Sequence, residues 1–153
     1  MENVLRVLPL GGLGEIGRNC LVLEYGLELL VIDSGFMFPS EEMPGVDLVL
    51  PDFSYIIERR DRVRGIVLTH GHEDHIGGLP YLLEDVPTDV YGTPLTRGLV
   101  EGKLRSPRLC ENARLHTMSP GDRLKLGPFA VTPFHVNHSI PDAVGLAIRT
   151  PVG

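Results

Sequence analysis

The stretch that decides the fold is Thr69-His70-Gly71-His72-Glu73-Asp74-His75, which directly follows the apolar segment Gly65-Ile66-Val67-Leu68. It places three histidines and an aspartate within six residues, although the whole chain of 153 residues has six histidines. A shuffled chain of the same composition would show this spacing about once in two thousand trials, so a chance match is improbable. The stretch therefore predicts a buried strand that ends in a cluster of metal ligands.

The spacing of these side chains also indicates which of them can bind the same metal ion. At an extended strand end, His70 and His72 project to the same side and can hold one divalent cation through imidazole nitrogens. Asp74 and His75 then turn into a helix and can reach a second cation. Two cations about 3.5–4 Å apart activate water and stabilise both oxygens of a displacement. The stretch is thus typical of a hydrolase, whereas a metal-free cluster would crowd three imidazoles without an ion.

The cluster needs a further ligand, and the segment after the alternating run Phe129–Val136 offers one. His135 and His138 point to opposite faces if that strand stays regular, so one of the two can face the cluster. We choose His138 because it lies at the strand exit, where active-site loops are found. His135 and His116 are interpreted as ordinary strand histidines.

An acid also ends the apolar run Leu29-Leu30-Val31-Ile32. Asp33 is followed by Ser34-Gly35, and two interpretations of it stay open. It caps a turn, as many aspartates do, or it orients the segment that carries the ligands without binding metal itself.

Composition limits the class of protein. With 42% hydrophobic and 22% charged residues, the chain is typical of a soluble globular domain, and its apolar runs are too short to span a bilayer. The first residues lack a secretory signal, so we expect a cytoplasmic protein without membrane contact. Cys20 and Cys110 are too few for a disulfide framework and are expected to be buried or inert thiols. The net charge of −6 leaves the partner open, since residues 59–153 are slightly basic.

Short elements alternate along the chain. Helices are predicted at Phe53–Arg60, Asp74–Glu84 and Pro94–Leu104. Strands are predicted at Val4–Pro9, Asn19–Tyr25, Glu28–Asp33, Gly65–Thr69, Asp89–Gly92, Arg114–Thr117, Phe129–Val136 and Val144–Thr150. This pattern favours an α+β class with layered α/β architecture.

Three further segments narrow the interpretation: the glycine-rich opening Leu8–Gly17, the continuation His75-Ile76-Gly77-Gly78-Leu79-Pro80, and Asn137-His138-Ser139-Ile140-Pro141-Asp142. With these, the chain resembles the ribonuclease J family, a branch of the metallo-β-lactamase superfamily that carries an inserted β-CASP domain. The resemblance covers essentially the whole sequence. It implies that the chain forms the first half of an αββα sandwich, with strands at the centre and helices outside.

The resemblance also implies a site. It assigns two divalent metal ions, with zinc as the first choice and manganese as the alternative. The ions would share imidazole and carboxylate ligands: His70, His72 and His138 for one, Asp74 and His75 for the other. Asp33 and Ser139 would support these ligands without binding metal, and Asp74 would act in catalysis beside a metal-activated hydroxide.

The activity implied by the resemblance is hydrolysis of single-stranded RNA. The family cuts phosphodiesters both as an endonuclease and as a 5′-to-3′ exonuclease, in RNA maturation and decay. It also implies a homo-oligomer, a dimer or tetramer, working with other RNA-decay proteins.

The family has two further metal ligands, a bridging aspartate and a last histidine, which residues 1–153 do not include. We therefore expect residues 1–153 to be a partial domain, without the β-CASP insertion, whose second ion is weak or absent. By itself it is expected to be marginally stable, prone to association and inactive on RNA.

Three other hypotheses remain beside this one. Gly12-Leu13-Gly14-Glu15-Ile16-Gly17 matches a dinucleotide-binding fingerprint, which would make the chain an oxidoreductase and requires a helix after Gly17. Gly26 interrupts that helix and favours a hairpin, so the conformation of residues 18–26 discriminates between the two. The same metal site on the same fold also suits a small-molecule hydrolase, or a catalytically inactive fragment that binds RNA.

Overall fold

Apolar side chains on both faces of the central strands require a covering layer on each side. In β3 (Glu28–Ile32), Leu29 and Val31 lie on one face and Leu30 on the other, and all three are fully buried. Strands buried on both faces need elements packed above and below them. The structure, a computed structural model that describes residues 3–153, has helices against one face and a second sheet against the other.

The first sheet has six strands in sequential order. They are β1 (Leu5–Gly11), β2 (Cys20–Tyr25), β3, β4 (Val63–Val67), β5 (Thr88–Gly92) and β6 (Ala113–Thr117). The pairs β1–β2 and β2–β3 are antiparallel, and β3 to β6 run parallel to one another. The carboxyl ends of β3, β4 and β5 therefore lie at the same edge of the sheet.

The second sheet is an antiparallel meander of β7 (Leu124–Leu126), β8 (Phe129–His135) and β9 (Val144–Arg149). Phe129 and Val131 of β8 are fully buried against Leu30 and Val67 of the first sheet. This apolar layer fixes the two sheets face to face, in the manner of a sandwich.

The helices cover the opposite face of the first sheet. They are α1 (Ser54–Ile57), α2 (Glu73–Ile76), α3 (Leu79–Leu83), α4 (Pro94–Glu101) and α5 (Pro107–Asn112), with a 3₁₀ turn at Arg60–Arg62. Ile56, Ile76, Leu79 and Val100 enter one core with the outward-facing residues of the strands. The prediction of central strands with helices outside is confirmed.

Several predicted boundaries are wrong. The helix expected at Asp74–Glu84 is two helices, because the chain turns at Gly77–Gly78 before Leu79-Pro80 begins α3. The helices at Phe53–Arg60 and Pro94–Leu104 end earlier, at Ile57 and Glu101, and the strand expected at Gly65–Thr69 runs instead from Val63 to Val67. The prediction also omitted α5 and the three-residue β7, which are too short to show a period.

The hairpin between β2 and β3 excludes the dinucleotide-binding reading. Residues 20–25 form a strand that pairs antiparallel with β3, where that reading requires a helix. The turn is Gly26-Leu27, and Gly26 has φ +63° while Leu27 does not enter the left-handed region. A positive φ at the first central position is the mark of the type II′ turn that matches strand twist.

The two cysteines differ in environment, which gives a first prediction. Cys20 is buried in β2, and burial, followed by the charge of Asp33, raises the pKa of its thiol to about 12. Cys110 is exposed and its thiol donates to the Leu104 carbonyl oxygen at 3.1 Å. At pH 8 we expect an alkylating reagent to label Cys110 readily and Cys20 after unfolding, as read by mass spectrometry. Equal labelling rates in the folded protein would contradict this packing.

Within residues 3–153, no helix has the length and hydrophobicity needed to cross a membrane.

Candidate metal centre

The histidine cluster lies in the loop that joins β4 to α2. The strand ends at Val67, and Leu68 continues the ladder by donating to the Tyr91 carbonyl oxygen at 2.9 Å. The chain then leaves the sheet at its carboxyl edge, between the ends of β3 and β5. Parallel α/β sheets place their sites at this edge, because the loops that follow neighbouring strands meet there.

Three imidazoles converge in this loop region. The ligand nitrogens of His70, His72 and His138 all lie within 4.8 Å of one another. The closest pair, Nε2 of His70 and Nε2 of His138, are 3.1 Å apart. Two nitrogens bound at 2.0–2.1 Å to one tetrahedral zinc ion are separated by about 3.3 Å. The spacing of the two Nε2 atoms thus fits two ligands of a single ion.

His138 reaches the cluster because the β8–β9 loop is fixed at two places. The Val144 amide donates to the Thr69 carbonyl oxygen at 3.0 Å, which ties the start of β9 to the loop after β4. The Asp142 carboxylate accepts from the Leu95 amide at 2.9 Å, at the start of α4. His135, in contrast, is the last residue of β8, is exposed and is outside the group of three.

Burial keeps His70 neutral. The residue is 7% exposed, and burial, followed by the positive potential of His75, lowers the pKa of His70 to about 4. At neutral pH its imidazole therefore carries a lone pair for a metal. Its Nδ1 lies 3.0 Å from the Thr69 hydroxyl oxygen, which leaves Nε2 toward His138.

Asp33 holds this loop to the end of β3. One carboxylate oxygen accepts from the Thr69 amide at 2.8 Å, and the other accepts from the Thr69 hydroxyl at 2.8 Å. The second oxygen also lies 2.8 Å from Nδ1 of His75. Asp33 is buried and adopts φ +59°, a conformation that aspartate tolerates better than most residues. Of the two interpretations made from the sequence, the geometry favours a residue that orients the ligands.

Asp74 and His75 lie next to the three imidazoles but do not belong to that group. Nε2 of His75 is 3.5 Å from a carboxylate oxygen of Asp74, and the rings of His70 and His75 are 4.0 Å apart. Burial by itself lowers the pKa of His75, but the hydrogen bond and charge of Asp33, together with Asp74, raise it overall. The pair thus places one imidazole nitrogen and one carboxylate beside the three imidazoles.

Asn19 is a component of the centre that the sequence analysis missed. Its side-chain amide donates to the Asp74 carboxylate at 3.0 Å and lies 3.2 Å from Nε2 of His75. Its backbone amide donates to the Asp74 carbonyl oxygen at 2.9 Å. The signal available in the sequence was a lone asparagine between the glycine-rich loop and β2. Ser139, by contrast, is exposed, and the hydrogen bonds of residues 3–153 do not link it to the imidazoles.

Comparison with known proteins gives the class. The family model described as the metallo-β-lactamase superfamily matches residues 13–140, which include every ligand considered above. The chain belongs to the metallo-β-lactamase superfamily.

Within that superfamily the chain is homologous to ribonuclease J. It is 48% identical to ribonuclease J of Thermus thermophilus and 43% identical to ribonuclease J 1 of Streptococcus pyogenes, over 99% of its own length in each case. It spans 28% and 27% of those two proteins, so it corresponds to a little more than a quarter of each.

Solved structures agree on the fold. The metallo-β-lactamase fold protein YhfI from Bacillus subtilis superposes with a TM-score of 0.69 at 18% identity, over 95% of this chain and 58% of YhfI. Zinc-bound PqqB from Methylobacterium extorquens gives a TM-score of 0.56 at 18% identity, over 88% and 46% of the two chains. At such identities the likeness concerns the fold alone, and this chain covers about half of each structure.

Proposed function

We propose that the chain forms the metal-binding part of a ribonuclease that hydrolyses phosphodiesters of single-stranded RNA. The observation that carries the proposal is the convergence of His70, His72 and His138 at the carboxyl edge of the sheet. Homology to ribonucleases J supports RNA as the substrate. As part of the same proposal, the protein would cut RNA both as an endonuclease and as a 5′-to-3′ exonuclease in RNA maturation and decay, in the cytoplasm, as a homo-oligomer that acts with other RNA-decay proteins.

The residues of the centre divide into two kinds by what they do. His70, His72 and His138 would hold one divalent ion, zinc by preference because imidazole is its usual ligand. Asp74 and His75 would hold a second ion, for which the carboxylate also admits manganese. When bound, such ions lower the pKa of water and neutralise charge that develops on a phosphate. Asp33, Thr69 and Asn19 fix the orientation of these ligands through the hydrogen bonds described above.

The ligand count predicts unequal metal affinity. The first site has three imidazoles within reach of one ion, whereas the second draws on Asp74 and His75 in residues 3–153. We expect residues 1–153 to bind one zinc ion tightly and a second one weakly or not at all, as measured by calorimetric titration. Two ions bound with equal, high affinity would contradict this assignment.

The proposal is tested by cleavage of a single-stranded RNA that carries a 5′-monophosphate. We expect the complete protein to lose cleavage in a chelator and to regain it on addition of zinc or manganese, leaving products with 5′-phosphate and 3′-hydroxyl ends. Residues 1–153 are assayed beside it, and we expect them to bind metal without cleaving RNA. Metal-dependent hydrolysis of small esters or lactams, with RNA left intact, would favour the small-molecule hydrolase instead.

A further inference from the structure

Two loops beside the candidate metal centre meet and line an open, largely apolar recess. One loop, residues 12–19, follows β1, and the other, residues 33–38, follows β3. The recess has a volume of about 360 Å³, which lies within the usual size of small-molecule sites, about 300–1,000 Å³. Its walls include Ile16, Phe36, Met37, Phe38 and Asp74. We call it the Phe36–Phe38 recess.

The recess exposes large apolar side chains that a folded chain normally covers. Ile16 is 91% exposed and Phe38 is 69% exposed, and Leu13 of the same loop is 78% exposed. The rings of Phe36 and Phe38 are 5.0 Å apart and nearly perpendicular, at 87°. A single exposed apolar residue is ordinary, but several around one recess indicate a surface that binds something.

The two loops are fixed rather than loosely placed. The Glu15 carboxylate accepts from the Gly12 amide at 3.1 Å and forms an ion pair with Arg18 at 2.7 Å, which closes the first loop on itself. The Arg18 amide donates to the Phe36 carbonyl oxygen at 3.2 Å and joins the two loops. These contacts hold the loops in place before anything binds, so the exposed side chains need less ordering on binding and the entropic cost of binding is lower.

The recess adjoins the metal centre through α2. A Cβ atom added at Gly77 would lie 2.2 Å from Cδ1 of Phe36, so the ring lies directly against the backbone of that helix. The same helix carries Asp74, which lines the recess and contacts Asn19 beside His75. A ligand in the recess therefore extends from the two aromatic rings to Asp74, which lies beside the metal centre.

We propose that the Phe36–Phe38 recess holds an unpaired nucleobase of single-stranded RNA, next to the phosphate that lies at the metal centre. This inference rests on the proposed function. The residues that line the recess include no lysine or arginine to bind a phosphate, and the carboxylate of Asp74 disfavours one, whereas Glu73 is already paired with Lys103; an uncharged base is compatible with this lining. Aromatic rings stack on any base, because every base has a π-face, so the recess binds without sequence preference.

The test compares RNA with and without bases. A fluorescent uridine decamer and an abasic decamer of the same length and charge are titrated into the complete protein in a His72→Ala background, which prevents cleavage. We expect Phe38→Ala to weaken binding of the uridine decamer by about 5- to 150-fold, the range for loss of one base–aromatic stack. Binding of the abasic decamer should not change, and Phe38→Trp should retain the affinity for uridine.

Phe134→Ala is the matched control, because Phe134 is an exposed phenylalanine on β8, away from the recess. It should bind both decamers as the parent does. The inference would be overturned if Phe38→Ala weakened binding of both decamers equally or changed the affinity for neither. It would also be overturned if Phe38→Ala dissociated a dimer while the RNA affinity stayed constant. Failure of the proposed function is separate: it appears as a wild-type protein that cuts no RNA in any metal.

Discussion

Replacing His72 by alanine should lower RNA cleavage by the complete protein by at least about 1,000-fold, even in excess zinc. Loss of one of three imidazoles leaves two ligands for the first ion. A weakly held ion no longer supplies the several kcal/mol by which it stabilises charge in the transition state, and about 1.4 kcal/mol corresponds to a tenfold change in rate. Initial rates on 5′-monophosphorylated RNA, together with the zinc content of the purified variant, measure the effect.

The matched control for this variant is His135→Ala. His135 is exposed at the end of β8 and lies outside the group of three imidazoles, so its loss should leave rate and zinc content unchanged. His72 is half-buried, and its side chain makes no cap hydrogen bond to α2, so both variants should unfold at nearly the same denaturant concentration. Full cleavage by the His72→Ala variant would refute the assignment of the centre.

Local patterns were enough to predict much of this fold. Asn19–Tyr25 and Glu28–Asp33 are dense in apolar residues on either side of Gly26, and the structure forms a hairpin at that turn. The position of His138 just after the alternating run led to its choice as a ligand, and His138 lies in the group of three imidazoles whereas His135, the last residue of β8, does not. Both inferences depend on residues close together in the chain, where periodicity is informative.

Contacts between distant residues could not be predicted in this way. Asn19 reaches Asp74 across 55 positions, and no periodicity in either segment encodes that pairing. The break between α2 and α3 has a similar cause. The Gly78 amide donates to the Ser34 carbonyl oxygen at 2.8 Å, in the loop after β3. Because this amide bonds to a distant carbonyl instead of one in the preceding turn, α2 ends before α3 begins. The helix α5 is too short to show a period, but Ser106-Pro107 is a recognisable helix start: the Ser106 side chain accepts from the Leu109 amide, and proline occupies the first helical position.

Replacing Gly35 by alanine should destabilise the protein by about 3 kcal/mol or more, the upper part of the range for overpacking. A Cβ atom at this position would lie 1.6 Å from the Asp74 carbonyl oxygen, and both are backbone-fixed atoms that no rotamer can separate. The segments would have to move apart. That movement would stretch two hydrogen bonds, from the Ser34 amide to the His75 carbonyl oxygen and from the Asn19 amide to the Asp74 carbonyl oxygen. Denaturant unfolding followed by circular dichroism measures the loss.

Gly98→Ala makes the same chemical change where space is open, and it should have the opposite sign. Gly98 lies inside α4, and an added Cβ meets nothing within 4 Å, so alanine should stabilise the helix by up to about 1 kcal/mol. Because both variants add one methyl group, the difference between them isolates the close approach of Gly35 to α2. That approach also positions Asp74 and His75, so Gly35→Ala should weaken the second metal site even at temperatures where it stays folded. Equal stability of the two variants would mean that the loop after β3 does not lie against α2.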